Sequence, residues 1–223
     1  MSMQRLFVDR TAAGEELAEV VFAAFRQKTA EEGIEFVPIV YALPRGGLPV
    51  AEPVARRLHC PLTVVAAKKI SHPDNPELAI GAVTASAEIL WSGQKVSCLD
   101  SQRREALQQA LSKAKNQAEL FDPVCPQVNV EGAIAILVDD GIATGMTIAV
   151  AAIALKAMQF AEVWLCTPVV PLTLIPWLQT FGDRVVALET PQTFFSVSNF
   201  YWEFPQVETA EALSYLQQTN SNS

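Results

Sequence analysis

Asp139 and Asp140 follow the apolar run Ile136-Leu137-Val138 and precede a stretch of small residues, Gly141-Ile142-Ala143-Thr144-Gly145-Met146-Thr147. An ionised carboxylate only accepts hydrogen bonds, so an acid pair suits the hydroxyls of a vicinal diol, which no lysine or arginine could serve in the same way. The residues after the pair suit a phosphate. A helix starting there aims its unpaired N–H groups and the positive end of its dipole at an anion. Thr144 and Thr147 add hydroxyl donors, and Gly145 lets the backbone approach a ligand closely. Diol-binding acids beside a phosphate nest describe a ribose 5-phosphate. A solvated acidic strand end is the plainer alternative.

A second segment, Tyr41-Ala42-Leu43-Pro44-Arg45-Gly46-Gly47, also follows an apolar run and precedes a helix-like one. Its two glycines permit tight turning and Arg45 supplies charge. Alone it reads as an ordinary turn, and it gains weight from the acid motif later in the chain. Ligand loops at the carboxyl ends of parallel strands fit the general placement of sites in α/β sheets. A third segment, running from Lys68-Lys69 through Asn75-Pro76-Glu77 to Gly81-Ala82-Val83, brings a lysine pair that is either solvated or turned to an anion.

Ile136 to Thr147 resembles the motif of type I phosphoribosyltransferases that binds 5-phosphoribosyl 1-diphosphate (PRPP), with Met146 where many members carry glycine. Residues 41–47 resemble the pyrophosphate loop of that family, and the third segment resembles the hood region of a subgroup whose substrate is undefined. Together the resemblances span residues 36–205. They imply a mainly parallel central sheet flanked by helices, with a hood or hairpin subdomain. The core is expected over about 10–70 and 122–190, and the hood over about 71–121 with the C-terminal segment 191–218. They imply that Asp139, Asp140, Arg45 and Lys68 serve the reacting centre. Pro44, Arg45, Gly46 and Gly47 would hold the diphosphate, and Ala143, Thr144, Gly145, Met146 and Thr147 the 5′-phosphate. Mg²⁺ would be bound mainly through PRPP, with Asp139 and Asp140 as its protein ligands. The implied reaction displaces diphosphate from C1 by a nucleobase-like acceptor, in nucleotide metabolism, under a mobile cover drawn from residues 71–100. The resemblance also implies a homodimer and a non-proline cis peptide between Pro44 and Arg45. Ala143 stands where hypoxanthine-guanine members carry an aspartate, which disfavours a 6-oxopurine acceptor. A non-catalytic protein sensing PRPP or a nucleotide is the alternative on the same fold. A receiver-like domain is disfavoured, because its acid pair follows the first strand.

The elements expected to position these residues alternate. A helix is expected over Ala13–Thr29, with Leu17, Val20, Val21 and Ala24 on one face. A strand over Phe36–Leu43 and a helix over Leu48–Leu58 follow, the latter bent or shifted by Pro53. Leu62–Ala67 reads as a strand, then come a loop and a hairpin from about Ile80 to Leu90 outside the main sheet. Ser101–Phe121 reads as a polar helix whose thin stripe (Leu107, Leu111, Ala114, Ala118) packs at an edge or a partner surface. Strands at Ala133–Val138, Val163–Val170 and Val185–Leu188 enclose helices at Gly145–Phe160 and Pro171–Phe181. Thr219–Ser223 reads as a disordered tail. The aromatic cluster Phe194, Phe195, Phe200, Tyr201, Trp202 and Phe204 suits packing more than stacking on a base. His59 and His72 read as surface residues, and Trp91 as a candidate oligomer contact.

The chain has 223 residues, half of them hydrophobic, with a formal net charge of −8 and a pI of about 4.8. Such an acidic chain is a poor non-specific binder of nucleic acid or anionic lipid. The N-terminus shows no signal-peptide pattern and no apolar stretch is long enough to span a bilayer. Cys60, Cys98, Cys125 and Cys166 are scattered, as in a reduced cytoplasmic protein.

Overall fold

The computed structural model describes residues 6–93 and 99–221. In chain order the strands are β1 (Pro38–Ala42), β2 (Leu62–Val64), β3 (Ala67–His72), β4 (Asn75–Thr84), β5 (Ile89–Trp91), β6 (Ile134–Val138), β7 (Glu162–Val169) and β8 (Arg184–Glu189). The helices are α1 (Arg10–Glu32), α2 (Leu48–Leu58), α3 (Asp100–Phe121), α4 (Met146–Lys156), the single turn α5 (Ile175–Leu178) and α6 (Thr209–Ser221).

The central sheet has five parallel strands in the order β2-β1-β6-β7-β8. Strands buried on both faces read as continuous apolar runs, which is why β1, β6 and β7 are legible in the sequence. Alternate residues feed opposite faces. Val40, Ala42, Ile134, Ile136, Val138, Trp164 and Cys166 join the cluster containing residues of α1, α2 and α6. Ile39, Tyr41, Ala135, Leu137, Val163 and Leu165 join the cluster containing α4. In the register, Ala42 lies opposite Val138, and the Leu43 amide donates to the Val138 carbonyl at 3.0 Å. The segments after β1 and β6 therefore leave the sheet side by side.

α1 begins earlier than its apolar pattern suggests, because Asp9 caps it by accepting from the Ala12 amide at 2.8 Å. It ends at Gly33, in the left-handed conformation. Leu17 and Val21 are buried, whereas Val20 is 43% exposed. A Cβ on Gly14 would lie 2.7 Å from the Val50 carbonyl oxygen, so the α1–α2 crossing depends on glycine there. α2 starts at Leu48 and runs through Pro53 unbroken.

The Leu62–Ala67 run divides between two sheets. Val65 donates to the Ala42 carbonyl at 3.1 Å, and the chain then leaves to begin β3. Residues 68–78, expected as a loop, instead pair as a β3–β4 hairpin, with Pro73 in its turn and register shifts near Ser71. β5 completes a three-stranded antiparallel sheet. The stripe of α3 finds its partner within the chain: Ala110, with Ala106, Leu107 and Leu111, packs on Ile70, Ile80 and Val83. The expected helix at 171–181 shrinks to a 3-10 turn and α5, with Pro176 in the first turn of α5.

Residues 219–221, expected as a tail, belong to α6. Ala212 and Leu216, four residues apart, bury into the central core. The Asn220 side chain accepts from the Leu62 amide at 3.0 Å and donates to its carbonyl at 2.9 Å, closing the edge of β2. Cys60, Cys125 and Cys166 are free thiols; Cys98 lies outside the described residues. Among the described residues, no helix is long and apolar enough to cross a membrane.

Candidate active site

The acid pair emerges from β6 beside the loop that emerges from β1. Asp139 Oδ1 accepts from the Asp140 amide at 2.9 Å. Asp140 Oδ2 accepts from Arg10 Nε at 2.7 Å, and the Asp140 carbonyl accepts from the Tyr201 hydroxyl at 2.6 Å. The Pro44–Arg45 peptide is cis. A Cβ on Gly46 would stand 2.3 Å from Asp140 Oδ2, so the loop and the carboxylate pack with no room between them.

Two adjoining cavities open here. The larger, of about 610 Å³, is lined by Pro44, Arg45, Gly46, Lys68, Asp139, Asp140 and Thr147, with Arg10, Lys113, Gln117 and Thr209 among the other walls. The smaller, of about 150 Å³, is lined by Asp139, Gly141, Ala143, Thr144, Gly145 and Thr147 at the N-terminal end of α4. Asp139 and Thr147 belong to both. Gly145 has φ +74°, and a Cβ there would meet the Trp177 ring at 2.7 Å. Met146 turns into the core with Leu137 and Ile148, away from the loop. Gly47 lines neither cavity; a Cβ there would lie 2.8 Å from the Val138 carbonyl, so it sets the spacing of the two segments. Gly47 and Met146 thus support the site from behind, while the remaining residues singled out in the sequence line one cavity or both.

Several lining or bracing residues carry no motif. Arg10 reaches Asp140 from the start of α1, donates to the Pro205 carbonyl at 2.6 Å, and lies 3.6 Å above the Phe204 ring. Arg45 donates to Thr209 Oγ1 at 2.8 Å. Part of the aromatic cluster packs internally, with Phe194 stacked on Phe200 and Tyr201 against Phe7 and Phe204, whereas Phe195 and Trp202 are exposed. Trp91 packs under the Arg103 guanidinium at 3.8 Å. His59 caps α2, and His72 Nδ1 accepts from the Asp74 amide in the hairpin turn.

Burial, then the charge of Asp140, pushes the Asp139 carboxyl well above the usual carboxylate range, against the opposing Asp140 amide and Arg10. Burial also raises Asp140, while Arg10 pulls it back. Lys68 is lowered by burial, then by the cations Arg45 and Lys113. The folded chain thus disfavours the charged ammonium, and its stability rises as pH climbs from the lowered pKa toward 10.5. Lys68→Gln is expected to raise the unliganded Tm by about 1–2 °C, solvent screening keeping the gain small, while weakening anion binding. Thermal melts with and without inorganic diphosphate check both halves.

Residues 12–173 match the family model described as the phosphoribosyl transferase domain. Two Mycobacterium tuberculosis proteins, from strains CDC 1551 / Oshkosh and ATCC 25618 / H37Rv, carry names that assign them provisionally to the phosphoribosyl transferases. Each is 34% identical over 219 residues, which is 97% of this chain and 47% of the relative. The chain spans about half the length of these curated relatives. The crystal structure of TT1426 from Thermus thermophilus superposes with a TM-score of 0.74 at 33% identity, covering 96% of this chain and 98% of that one.

Proposed function

The chain belongs to the phosphoribosyl transferase domain family, and from that premise we propose that it transfers the 5-phosphoribosyl group of PRPP to a nucleobase-like acceptor, releasing diphosphate. One observation carries the reading: the acid pair and the Arg45 loop face a single cavity, and a phosphate-sized recess adjoins it through Asp139 and Thr147. In this arrangement the Thr144–Thr147 turn and the start of α4 hold the 5′-phosphate. Asp139 and Asp140 accept from the ribose hydroxyls, and Arg45, Lys68 and the loop amides hold the diphosphate. As the C1–O bond breaks, positive charge grows on the ribose beside the carboxylates and negative charge grows on the diphosphate beside the cations. Fixed charges of the right sign in both places stabilise the transition state more than the ground state. The acceptor nitrogen then bonds to C1 and releases its proton. Asn116 and Gln206 on the cavity wall offer amides of the kind that pair with a base edge.

Mg²⁺ fits these residues as a shared ligand. Among the described residues no three His, Cys, Asp or Glu side chains gather to hold a metal alone. Asp139 and Asp140 supply the one or two carboxylates that Mg²⁺ takes when substrate phosphates complete its shell. Bound there, it supplies positive charge at the leaving group.

The test is exchange of labelled diphosphate into PRPP with Mg²⁺ and a panel of bases. Base-dependent exchange is the expected result. Tight PRPP binding with no exchange for any base would replace catalysis with sensing, and no PRPP binding would end the proposal. A homodimer, also part of this reading, is expected in light scattering.

A further inference from the structure

The cavity has a wall that no motif accounts for. α3 presents Lys113, Asn116, Gln117 and Leu120 to it. Gln117, one turn beyond Lys113, donates to the Pro44 carbonyl at 3.4 Å, which joins the helix to the loop bearing Arg45. A second cavity of about 440 Å³ runs from the β3–β4 hairpin along α3 and again includes Lys113. Lys113 therefore lines both cavities and shares the first with Arg45 and Lys68.

Charge gives this placement its meaning. The chain has 24 acidic and 16 basic residues, and several of its cations sit beside carboxylates. Lys28 pairs with Glu32 and Glu162, Arg57 with Glu19, Lys156 with Asp183, and Arg10 with Asp140. Among the described residues Arg45, Lys68 and Lys113 form no ion pair; neither do Arg26, Arg103, Arg104, Lys115 and Arg184, but those five do not line this cavity. Three cations that converge on one cavity without a carboxylate partner repel one another until an anion arrives.

The geometry points to Lys113 as a binding residue for the diphosphate group, delivered from α3 into the cavity that the Arg45 loop also lines. This rests on the phosphoribosyl reading above, in which diphosphate is the leaving group. Each ammonium contributes a charge-assisted hydrogen bond to a phosphate oxygen. Lys68 is lowered by burial first, then by Arg45 and by Lys113, in keeping with cations gathered around one cavity. A diphosphate between them turns that repulsion into attraction. Ribose 5-phosphate, which lacks the diphosphate, gains nothing from Lys113.

Calorimetric titrations of inorganic diphosphate with Mg²⁺, and separately of ribose 5-phosphate, test this on the full chain. Lys113→Ala is expected to weaken diphosphate binding by about tenfold and to leave ribose 5-phosphate within about twofold. Lys113→Arg retains the charge and restores diphosphate binding. Lys115→Ala, an exposed lysine on the same helix, leaves both ligands unchanged. The assignment is overturned if Lys113→Ala binds diphosphate as the wild type does, if both ligands weaken in parallel, or if Lys115→Ala weakens diphosphate equally. A wild-type chain that binds neither probe overturns the phosphoribosyl reading itself. That outcome is distinct from the loss of Lys113 alone, where the wild type binds both.

Discussion

Asp140→Asn is expected to weaken PRPP binding at least about tenfold and to slow turnover about a hundredfold, the usual scale for removing one fixed electrostatic partner of a transition state. The reason is an acceptor count. The carboxylate offers two acceptor oxygens; Oδ2 is taken by Arg10 at 2.7 Å, which leaves Oδ1 for a ligand hydroxyl. Asparagine offers one acceptor and an NH₂ donor. Either Arg10 meets an N–H, or the ribose hydroxyl does. Arg10 cannot move away freely, because its side chain is 10% exposed and is held by the Pro205 carbonyl and the Phe204 ring. The lost charge also removes the stabilisation that Asp140 offers to a cationic ribose. Calorimetry gives the affinity and single-turnover kinetics gives the rate. An unchanged PRPP titration would remove Asp140 from the site.

Gly46→Ala is expected to cost more affinity, about a hundredfold, without removing a charge. The added methyl would sit 2.3 Å from Asp140 Oδ2 and 3.0 Å from its Cγ. Two adjustments are open. The carboxylate can rotate and break its bond to Arg10, or the 44–47 loop can withdraw and carry Arg45 with it. Both separate charges that the proposed chemistry needs together. The double variant Gly46→Ala/Asp140→Asn distinguishes this coupling from general damage. If the methyl acts through Asp140, the double variant loses no more than the worse single one. Additive losses would place the effect of Gly46 elsewhere.

How far the sequence carries these conclusions depends on the range of each interaction. β1, β6 and β7 were legible because double burial leaves an unbroken apolar run, and the acid pair because its neighbours form one continuous segment. The β3–β4 hairpin was hidden by Pro73 and Pro76, which read as a loop until the turn and the strand end are seen to accommodate them. α6 was hidden because its Gln-Gln-Thr-Asn-Ser ending masks the two-residue anchor Ala212 and Leu216. Arg10 and Lys113 were beyond local reading altogether. Arg10 precedes an ordinary amphipathic helix, and its partner lies 130 positions away. Lys113 is one of several cations on a polar helix, and only the packing of α3 across the second sheet separates it from Lys115.

The Arg10 clasp also bears on how the protein comes into being. Its two polar contacts span sequence separations of 130 and 195 residues, so closing it joins segments far apart in the sequence. Such distant closures are slow, because ordering the intervening chain precedes the reward. During synthesis Arg10 is made before Asp140, and Asp140 before the Pro205 carbonyl. The nascent chain thus carries the Arg10 guanidinium without these partners until Asp140 is made, and the Asp140 clasp is complete only after residue 205 follows.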